Sequence, residues 1–322
     1  MKLTSIRPIA LVLARELMIT GLLLIGVSFV VFIILYLSPG DPFSVLLEGQ
    51  MPTESAREGI REAMGVQKAW YGQYLSWLGN MLQGNFGNSI RTGLPVLGEV
   101  LRVGFNTLVL TLGSLLITLV IAVPIALHSA RHGMTRLTWP FTIGSYIISA
   151  LPVFWLGYIV IYFFTHKLGV FPMAFGFATG GKKWLYALLP IIVLGIGNGT
   201  ISEVIRSLRE EMARVLDEDY IRTARAKGLV ETLILKRHAI KNAMLPVLTV
   251  TGIEFAFLMG GLVVTEQVFN LNGLGLLFVQ AVAHRDYTLT QALVLLVASV
   301  FIIVNFFMDL MYGWLDPRIR YR

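Results

Sequence analysis

The chain has 322 residues, of which 56% are hydrophobic and only 14% are charged, and its mean hydropathy is +0.73. One soluble core could not bury this much apolar surface, so the composition predicts a membrane protein that crosses the bilayer several times. The chain is basic, with 26 Lys and Arg against 19 Asp and Glu. No water-soluble domain presents a basic face, so we expect no nucleic-acid partner. The absence of cysteine excludes disulfides and thiolate metal sites.

Six apolar runs are each long enough to cross roughly 30 Å of hydrocarbon as a helix. They lie at 18–37, 107–127, 140–165, 185–205, 245–265 and 289–311. The first run follows basic residues, as a signal peptide does, but it is too long and lacks a cleavage site, so we predict a retained helix. The sequence therefore predicts an all-α membrane protein with six transmembrane helices and an extracytoplasmic segment between helices 1 and 2.

That segment, residues 38–103, opens with the turn Pro39-Gly40-Asp41-Pro42. Short amphipathic helices are predicted at 54–64 and 68–82. Four side chains share one face of the second helix: Tyr71, Tyr74, Trp77 and Leu78. Two interpretations stay open here, a small cap packed on the outer helix ends or a docking surface for an extracytoplasmic partner.

Residues 206–242 form a long polar stretch that cannot lie in lipid. Asp217 and Asp219 are candidate N-caps of a short helix over 220–227, and Gly228 suits the left-handed position after it. A second helical run covers 231–242, and Pro246 stands in the first turn of the next span. The small residues near Ala224 would let another protein approach closely. From spacing alone, an orientation signal that binds anionic lipid is equally consistent.

Glu254 lies near the middle of the fifth span, where a carboxylate is costly and normally faces a bundle interior or a wet cavity. It is either a residue of a translocation path or half of a structural pair. Asn198 and Asn305 either line such a path or join helices together. Gly195 and Gly199 have the spacing of close helix packing.

Two other patterns predict no site. His128 and His132 are spaced to share a metal ion, but no third ligand lies nearby in the sequence. The run from Gly176 to Lys183 has the glycine spacing of a phosphate-binding loop, but Lys183 stands where Ser or Thr must hold magnesium.

The basic residues predict the orientation of the chain. If the N-terminus, the loop at 131–136, the stretch 206–242 and the C-terminus are cytoplasmic, 17 of the 26 Lys and Arg residues lie on that side. Both termini are therefore predicted to be cytoplasmic.

The polar stretch also resembles the cytoplasmic "EAA" loop of ABC importer permeases of the oligopeptide, dipeptide and nickel branch. The matching residues are Asp219-Tyr220, Thr223-Ala224-Arg225-Ala226-Lys227-Gly228-Leu229, His238-Ala239, Asn242-Ala243 and Leu245-Pro246. The resemblance continues in Pro39 to Pro42, Tyr74 to Ser89, Gly260 to Phe269, Gly273-Leu-Gly275, Arg285-Asp286-Tyr287, Asn305, Asp309 and Asp316-Pro317-Arg318. Asn272 and Asn85 depart from the family pattern, where Pro and Asp are usual.

The resemblance implies a type I ABC importer permease of the prokaryotic inner membrane. It implies a cytoplasmic N-terminus and helix 1 in 1–37, an extracytoplasmic segment in 38–103, a five-helix core in 104–312 and a cytoplasmic tail in 313–322. Residues 219–228 would couple to partner ATPases. Glu254, Asn198 and Asn305 would line the path. The implied docking residues for a substrate-binding protein are Tyr74, Trp77, Arg285, Asp286 and Tyr287.

The implied partners are a second homologous permease, two cytoplasmic ATPases that hold ATP and Mg, a substrate-binding protein and membrane lipid. This chain itself would need no cofactor and would not be an enzyme. The implied ligands are di- or oligopeptides, with nickel, metal chelates or oligosaccharides as alternatives. Two other classes of protein predict different sequence patterns. A secondary transporter or channel would show internal repeats and several midplane charges, and an intramembrane enzyme would need a catalytic pair at membrane depth; neither pattern is visible.

Overall fold

The computed structural model describes residues 6–37, 69–171 and 183–315, and within these ranges the chain is almost entirely helical. The turn at 39–42, the helix predicted at 54–64, most of the glycine-rich run after Gly176 and the tail from Asp316 lie outside the described residues. The helices, in chain order, are α1 (Ile6–Leu37), α2 (Trp70–Leu82), α3 (Val96–His132), α4 (Thr138–Ser149), α5 (Val153–Val160), α6 (Lys183–Gly197), α7 (Thr200–Leu216), α8 (Asp219–Ala226), α9 (Glu231–Ile234), α10 (Ile240–Ala243), α11 (Leu245–Met259), α12 (Val263–Val268), α13 (Leu274–Ala283) and α14 (Tyr287–Leu315).

Three described helices are each long and apolar enough to cross a membrane alone. These are Ala14–Ile34 within α1, the whole of α3, and Tyr287–Gly313 within α14. Three pairs of helices, each bent at a short break, pass the same test together, and counting each pair as one span gives up to six spans among the described residues. The predicted first, second and sixth spans are confirmed as single helices.

The apolar runs predicted at 140–165 and 185–205 are helical, but each is broken into two helices and is not a single straight span. α4 and the helix that follows it bend by 109° at Pro152, whose extended backbone cannot continue the helix. α5 then continues into a π-helical segment, Ile161–Lys167. α6 and α7 bend by 47° where Gly199 takes a φ of +83°. The predicted fifth span ends early, at Met259, and Pro246 stands in its first turn as expected.

The chain divides into two compact units, Met1–Phe105 with Gly273–Ile303 and Asn106–Asn272 with Val304–Arg322. In the first unit, the buried residues include Phe32 of α1, Val100 of α3 and Leu274 of α13. The second unit contains two buried clusters, one at the α6–α11 end and one where α7 meets α8 to α10.

Gly195 lets α6 pack directly against α3, as its spacing predicts. A Cβ at this position would lie 2.8 Å from the Ser114 carbonyl oxygen and 3.0 Å from the Ile117 Cβ. The Thr118 hydroxyl donates a 2.7 Å hydrogen bond to the Gly195 carbonyl across the same contact. Gly199 has no heavy atom within 4 Å, so its role is the bend and not packing.

We therefore expect Gly195→Ala to destabilise the protein by about 1–3 kcal/mol, the usual cost of overpacking a tight contact. Gly144→Ala is the matched control, because Gly144 is also helical and its Cβ would meet nothing within 4 Å. The measurement is the thermal aggregation midpoint of each variant in detergent. Equal midpoints for the two variants would contradict the packing assignment.

Candidate coupling surface and membrane carboxylate

α7 is an amphipathic helix that holds the polar stretch onto the second unit. Its apolar residues recur every three or four positions, which places them on one face. Those that are buried are Ile201, Val204, Ile205, Leu208, Met212 and Val215. They pack with Ala122 and Ala126 of α3 and with buried residues of α8, α9 and α10. The charged residues Glu203, Arg206 and Glu210 point outward.

α8 follows after a two-residue turn, and its first residue is Asp219. The prediction that Asp217 or Asp219 caps this helix is wrong. The N-cap is Glu218, which has an extended backbone and makes no side-chain cap hydrogen bond, while Asp217 ends α7. Asp219 lies inside the first turn, where its negative charge still favours the helix N-terminus.

The C-terminal end of α8 is closed by a Schellman motif, as the position of Gly228 predicts. Gly228 has a φ of +76°. Its N–H donates to the Arg225 carbonyl at 2.9 Å, and the Leu229 N–H donates to the Ala224 carbonyl at 3.4 Å. These two bonds satisfy carbonyls that a helix end otherwise leaves unpaired. The backbone conformation confirms the predicted left-handed cap.

Ala224 does not lie on the outer face of α8, contrary to the expectation that it would meet another protein. It is 7% exposed and packs in the same cluster as Ile221. Its small size therefore serves packing within the chain. The residues that α8 and its cap expose are Asp219, Tyr220, Arg222, Thr223, Arg225, Ala226, Lys227 and Gly228. Ala226 has the smallest side chain on this outer face.

Two side-chain contacts fix α8 to the segments that follow it. The Arg225 guanidinium donates two hydrogen bonds to the Glu231 carboxylate, at 2.9 and 3.3 Å. The hydrogen bond to Glu231 raises the pKa of Arg225, so the guanidinium stays charged. The Asn242 amide donates to the Tyr220 hydroxyl at 2.9 Å. Arg225 and Tyr220 thus position α8 as well as contributing to its surface.

At the break between α6 and α7, Asn198 donates a hydrogen bond from its amide to the Glu254 carboxylate on α11. Both side chains are half-buried. This contact joins two residues that were predicted separately. Glu254 therefore has a neutral hydrogen-bond donor at membrane depth, which lowers the cost of a carboxylate there.

Asn305, the third residue predicted to line a path, lies on α14 and is exposed. Among the hydrogen bonds of the described residues, none joins it to Asn198 or Glu254. The structure thus brings two of the three predicted residues together.

The residues predicted to dock a binding protein fall into different environments. Tyr74 is 9% exposed, because its ring packs edge-on against Phe29 and Phe32 of α1. Its hydroxyl bonds to the Ser28 hydroxyl at 3.0 Å. Tyr74 is therefore an internal residue and not part of a docking surface. Trp77 is half-buried, with its ring 6.0 Å from that of Phe32.

Asp286 is also internal, with 2% exposure. It is the N-cap of α14, since its carboxylate accepts a 3.1 Å hydrogen bond from the Leu289 N–H. The same carboxylate accepts hydrogen bonds from the Ser89 hydroxyl and the Arg91 N–H, which ties the loop before α3 to α14. Arg285 is exposed with a φ of +52°, and Tyr287 is half-buried.

Glu266 on α12 is a carboxylate whose role the sequence did not indicate. It is fully buried and accepts a 3.2 Å hydrogen bond from the Thr107 hydroxyl of α3. In the sequence, Glu266 lies one residue after the predicted fifth span, and it was noted only as one of the residues that match the family pattern. The glycines at 260 and 261 were the available signal, because a chain that leaves its helix there can turn a following carboxylate inward.

Two family models match the chain. One, described as the inner membrane component of binding-protein-dependent transport systems, matches residues 122–321, and its N-terminal counterpart matches residues 9–123.

Curated relatives match over nearly their full lengths. The oligopeptide transport system permease protein AppB of Bacillus subtilis is 37% identical, over 97% of this chain and 99% of the relative. A probable peptide ABC transporter permease, y4tP of Sinorhizobium fredii, is 36% identical over 95% and 98%. The glutathione transport system permease GsiC of Pectobacterium atrosepticum is 37% identical over 93% and 95%.

Among solved structures, the fold is similar to a chain of the methionine ABC transporter MetNI in an inward-facing conformation. The TM-score is 0.51 at 18% sequence identity, over 67% of this chain and 96% of that one. This likeness concerns the fold alone. Together with the family models and the full-length relatives, the helical architecture shows that the chain belongs to the binding-protein-dependent inner membrane components, the permease subunits of ABC importers.

Proposed function

We propose that this chain is one of two permeases that enclose the translocation path of an ATP-driven importer for peptides. The peptide ligand is supported by the relatives, which are named for oligopeptide, peptide and glutathione transport. Glutathione is itself a tripeptide, so the three names describe one chemical class. The complex would also contain a second, homologous permease.

Two cytoplasmic ATPases would bind ATP and Mg and would receive the outer face of α8. The observation that supports this proposal is that several contacts fix α8 to the rest of its unit. Ile221 and Ala224 anchor one side in the core, a Schellman motif closes the end, and Arg225 is paired with Glu231. A helix fixed in this way transmits a push from a partner to α7 as a rigid body, which is how closure of an ATPase dimer would rock the permease.

The orientation we propose places both termini and α8 in the cytoplasm. It is supported by the 17 of 26 basic residues that then lie on the cytoplasmic side. The segment between α1 and α3 and the turn at Arg285 then face the outside, where a substrate-binding protein would deliver ligand. Among the predicted docking residues outside α2, Arg285 is exposed and Tyr287 is half-buried, so these two retain the surface that docking needs.

Within the membrane, we propose that Glu254 and Asn198 line the translocation path. The broken helices at Pro152 and Gly199 support this assignment, since irregular backbone at membrane depth is tolerated where it lines a cavity or is buried in protein. A carboxylate whose hydrogen-bond partner is a neutral amide can also attract the ammonium group of a passing peptide. Asn305 would add a polar group to the same path.

The coupling proposal can be tested with a single cysteine, because the native chain has none. Ala226→Cys, labelled with a benzophenone maleimide and irradiated in the assembled transporter, is expected to cross-link to an ATPase subunit. The reason is that Ala226 is small and lies on the exposed face of α8. Mass spectrometry of the cross-linked band identifies the partner.

Ala283→Cys serves as the control, since Ala283 is also exposed and the proposed topology places it on the other side of the membrane. It should give no cross-link to an ATPase. An intact complex in which Ala226→Cys fails to reach the ATPase would overturn the coupling assignment.

A further inference from the structure

α2 has an outer face that is too apolar for a helix in water. None of its 13 residues is charged. Tyr71 is 59% exposed, Leu75 is 63% exposed and Leu82 is 77% exposed. Their spacing of four and seven places them on one side of the helix. Trp70, at 45% exposure, extends the same apolar surface at the N-terminal end.

The opposite face of α2 packs on α1 through aromatic rings and one polar cluster. Tyr74 and Trp70 contact the Phe29 ring at centroid distances of 5.4 and 6.1 Å. The Tyr74 hydroxyl donates to the Ile25 carbonyl at 3.3 Å and shares a 3.0 Å bond with the Ser28 hydroxyl. Ser28 is 1% exposed, so this polar group is fully enclosed.

These contacts place α2 at membrane depth. The part of α1 that is apolar enough to cross the membrane is Ala14–Ile34. Ser28 lies six residues before the end of that span and Ile25 lies nine before it, which is about 9 and 13 Å along the helix axis. Hydrocarbon is about 30 Å thick, so the Tyr74 hydroxyl meets α1 roughly a third to nearly half of the way into it.

We propose that α2 lies within the lipid leaflet at the C-terminal end of α1, with Tyr71, Leu75 and Leu82 against lipid acyl chains. In the orientation proposed above, this is the outer leaflet. The occupant is lipid because the facing part of α1 must itself be in lipid, and α1 also exposes the apolar residues Leu22, Ile25 and Val30.

The chemistry of α2 suits this position. A helix satisfies its own backbone hydrogen bonds, which hydrocarbon requires. The aromatic residues Trp70 and Tyr71 are of the kind enriched near membrane interfaces. The internal hydrogen bonds of Tyr74 and Ser28 leave no unpaired hydroxyl between the two helices, since a polar group without a partner is costly in lipid. In this placement α2 is not a water-exposed docking surface.

The test uses Leu75→Cys, labelled with a nitroxide, in the assembled transporter reconstituted in phosphatidylcholine–phosphatidylglycerol vesicles. Oxygen concentrates in hydrocarbon, whereas a nickel chelate stays in water, so the collision rates of both relaxants with the spin label report its surroundings. We expect high accessibility to oxygen and at least tenfold lower relative accessibility to the nickel chelate than at the control site.

Arg91→Cys is the control, because Arg91 is exposed in the polar loop before α3 and only its backbone is used to bind Asp286. It should be open to the nickel chelate. Labelling of Arg91→Cys by an impermeant thiol reagent in intact cells reports the orientation separately, so a reversed topology is distinguishable from a failure of the lipid assignment.

Two outcomes would overturn the proposal. High accessibility of the Leu75 label to the nickel chelate would mean that α2 faces water. Low accessibility to both relaxants would mean that another protein, such as the binding protein or the second permease, covers this face.

Discussion

Gly228→Val is expected to reduce binding-protein-stimulated ATP hydrolysis and peptide uptake at least tenfold, with membrane insertion unchanged. Gly228 has a φ of +76°, and no heavy atom lies within 4 Å of an added Cβ. The effect therefore comes from the backbone conformation and not from a collision. A residue with a side chain costs about 1–2 kcal/mol in the left-handed region, and a β-branched residue costs more.

That cost is large enough to open the cap of α8. One or two kcal/mol changes a two-state population by a factor of roughly 5–30. Opening the cap releases the bonds from Gly228 to Arg225 and from Leu229 to Ala224, so the exposed end of α8 near Lys227 loses its fixed position. The measurement is ATP hydrolysis and uptake per assembled complex in proteoliposomes.

The matched control is Gly133→Val. Gly133 has a φ of +71° and equally open surroundings, but it lies in the loop between α3 and α4. It carries the same backbone strain without touching α8, so we expect near-normal coupling. Gly228→Asn is expected to restore much of the activity, since asparagine tolerates the left-handed conformation. Equal losses in both valine variants would show that coupling does not depend on the α8 cap.

Glu254→Gln is expected to leave the yield of assembled complex unchanged and to lower uptake of cationic peptides, relative to neutral ones, at least tenfold. Glutamine keeps the shape of the side chain and an oxygen that can accept the Asn198 hydrogen bond. Only the charge is removed. Because the hydrogen-bond partner is a neutral amide, no cation is left unpaired by the change.

Glu266→Gln is the contrasting variant in the same unit. Its carboxylate is fully buried, and glutamine would place an NH2 group, a donor without access to water, where one of the two acceptor oxygens lies. We therefore expect a lower yield of folded protein and an unchanged ligand preference in what remains. Uptake is measured per assembled complex across peptides of different charge. An unchanged preference in Glu254→Gln would remove Glu254 from the path, and a loss of yield would assign it to a structural pair.

Much of the coupling loop was predictable because its signals are local. The polar run among apolar spans, the buried face of α7 and the left-handed glycine after α8 all depend on neighbouring residues. The N-cap was missed because Glu218 makes no side-chain cap bond, so the usual pattern of Asp before a helix did not apply. The burial of Ala224 was missed because eight residues show too few turns to tell an inner from an outer face.

The residues predicted to dock a binding protein show most clearly what sequence patterns cannot predict. Tyr74 and Asp286 are residue types that often bind partners at surfaces, and nothing near them in the sequence indicates otherwise. Their actual partners are Ser28 and Ile25 for the first and Ser89 and Leu289 for the second. Apart from Leu289, these partners are 46 to 197 residues away along the chain.

The membrane class, the approximate positions of six apolar runs, the family resemblance and the short helix ended by Gly228 could all be predicted from the sequence alone. These depend on hydropathy, on spacing within a few turns and on steric rules for single residues. The tertiary structure was needed to show that the apolar runs at 140–165 and 185–205 are bent, that Asn198 meets Glu254, that Ala224 faces inward and that α2 packs on the apolar part of α1. Each of those depends on a contact between different segments of the chain. Such contacts produce no periodic pattern in the sequence of either segment, so they cannot be predicted from spacing.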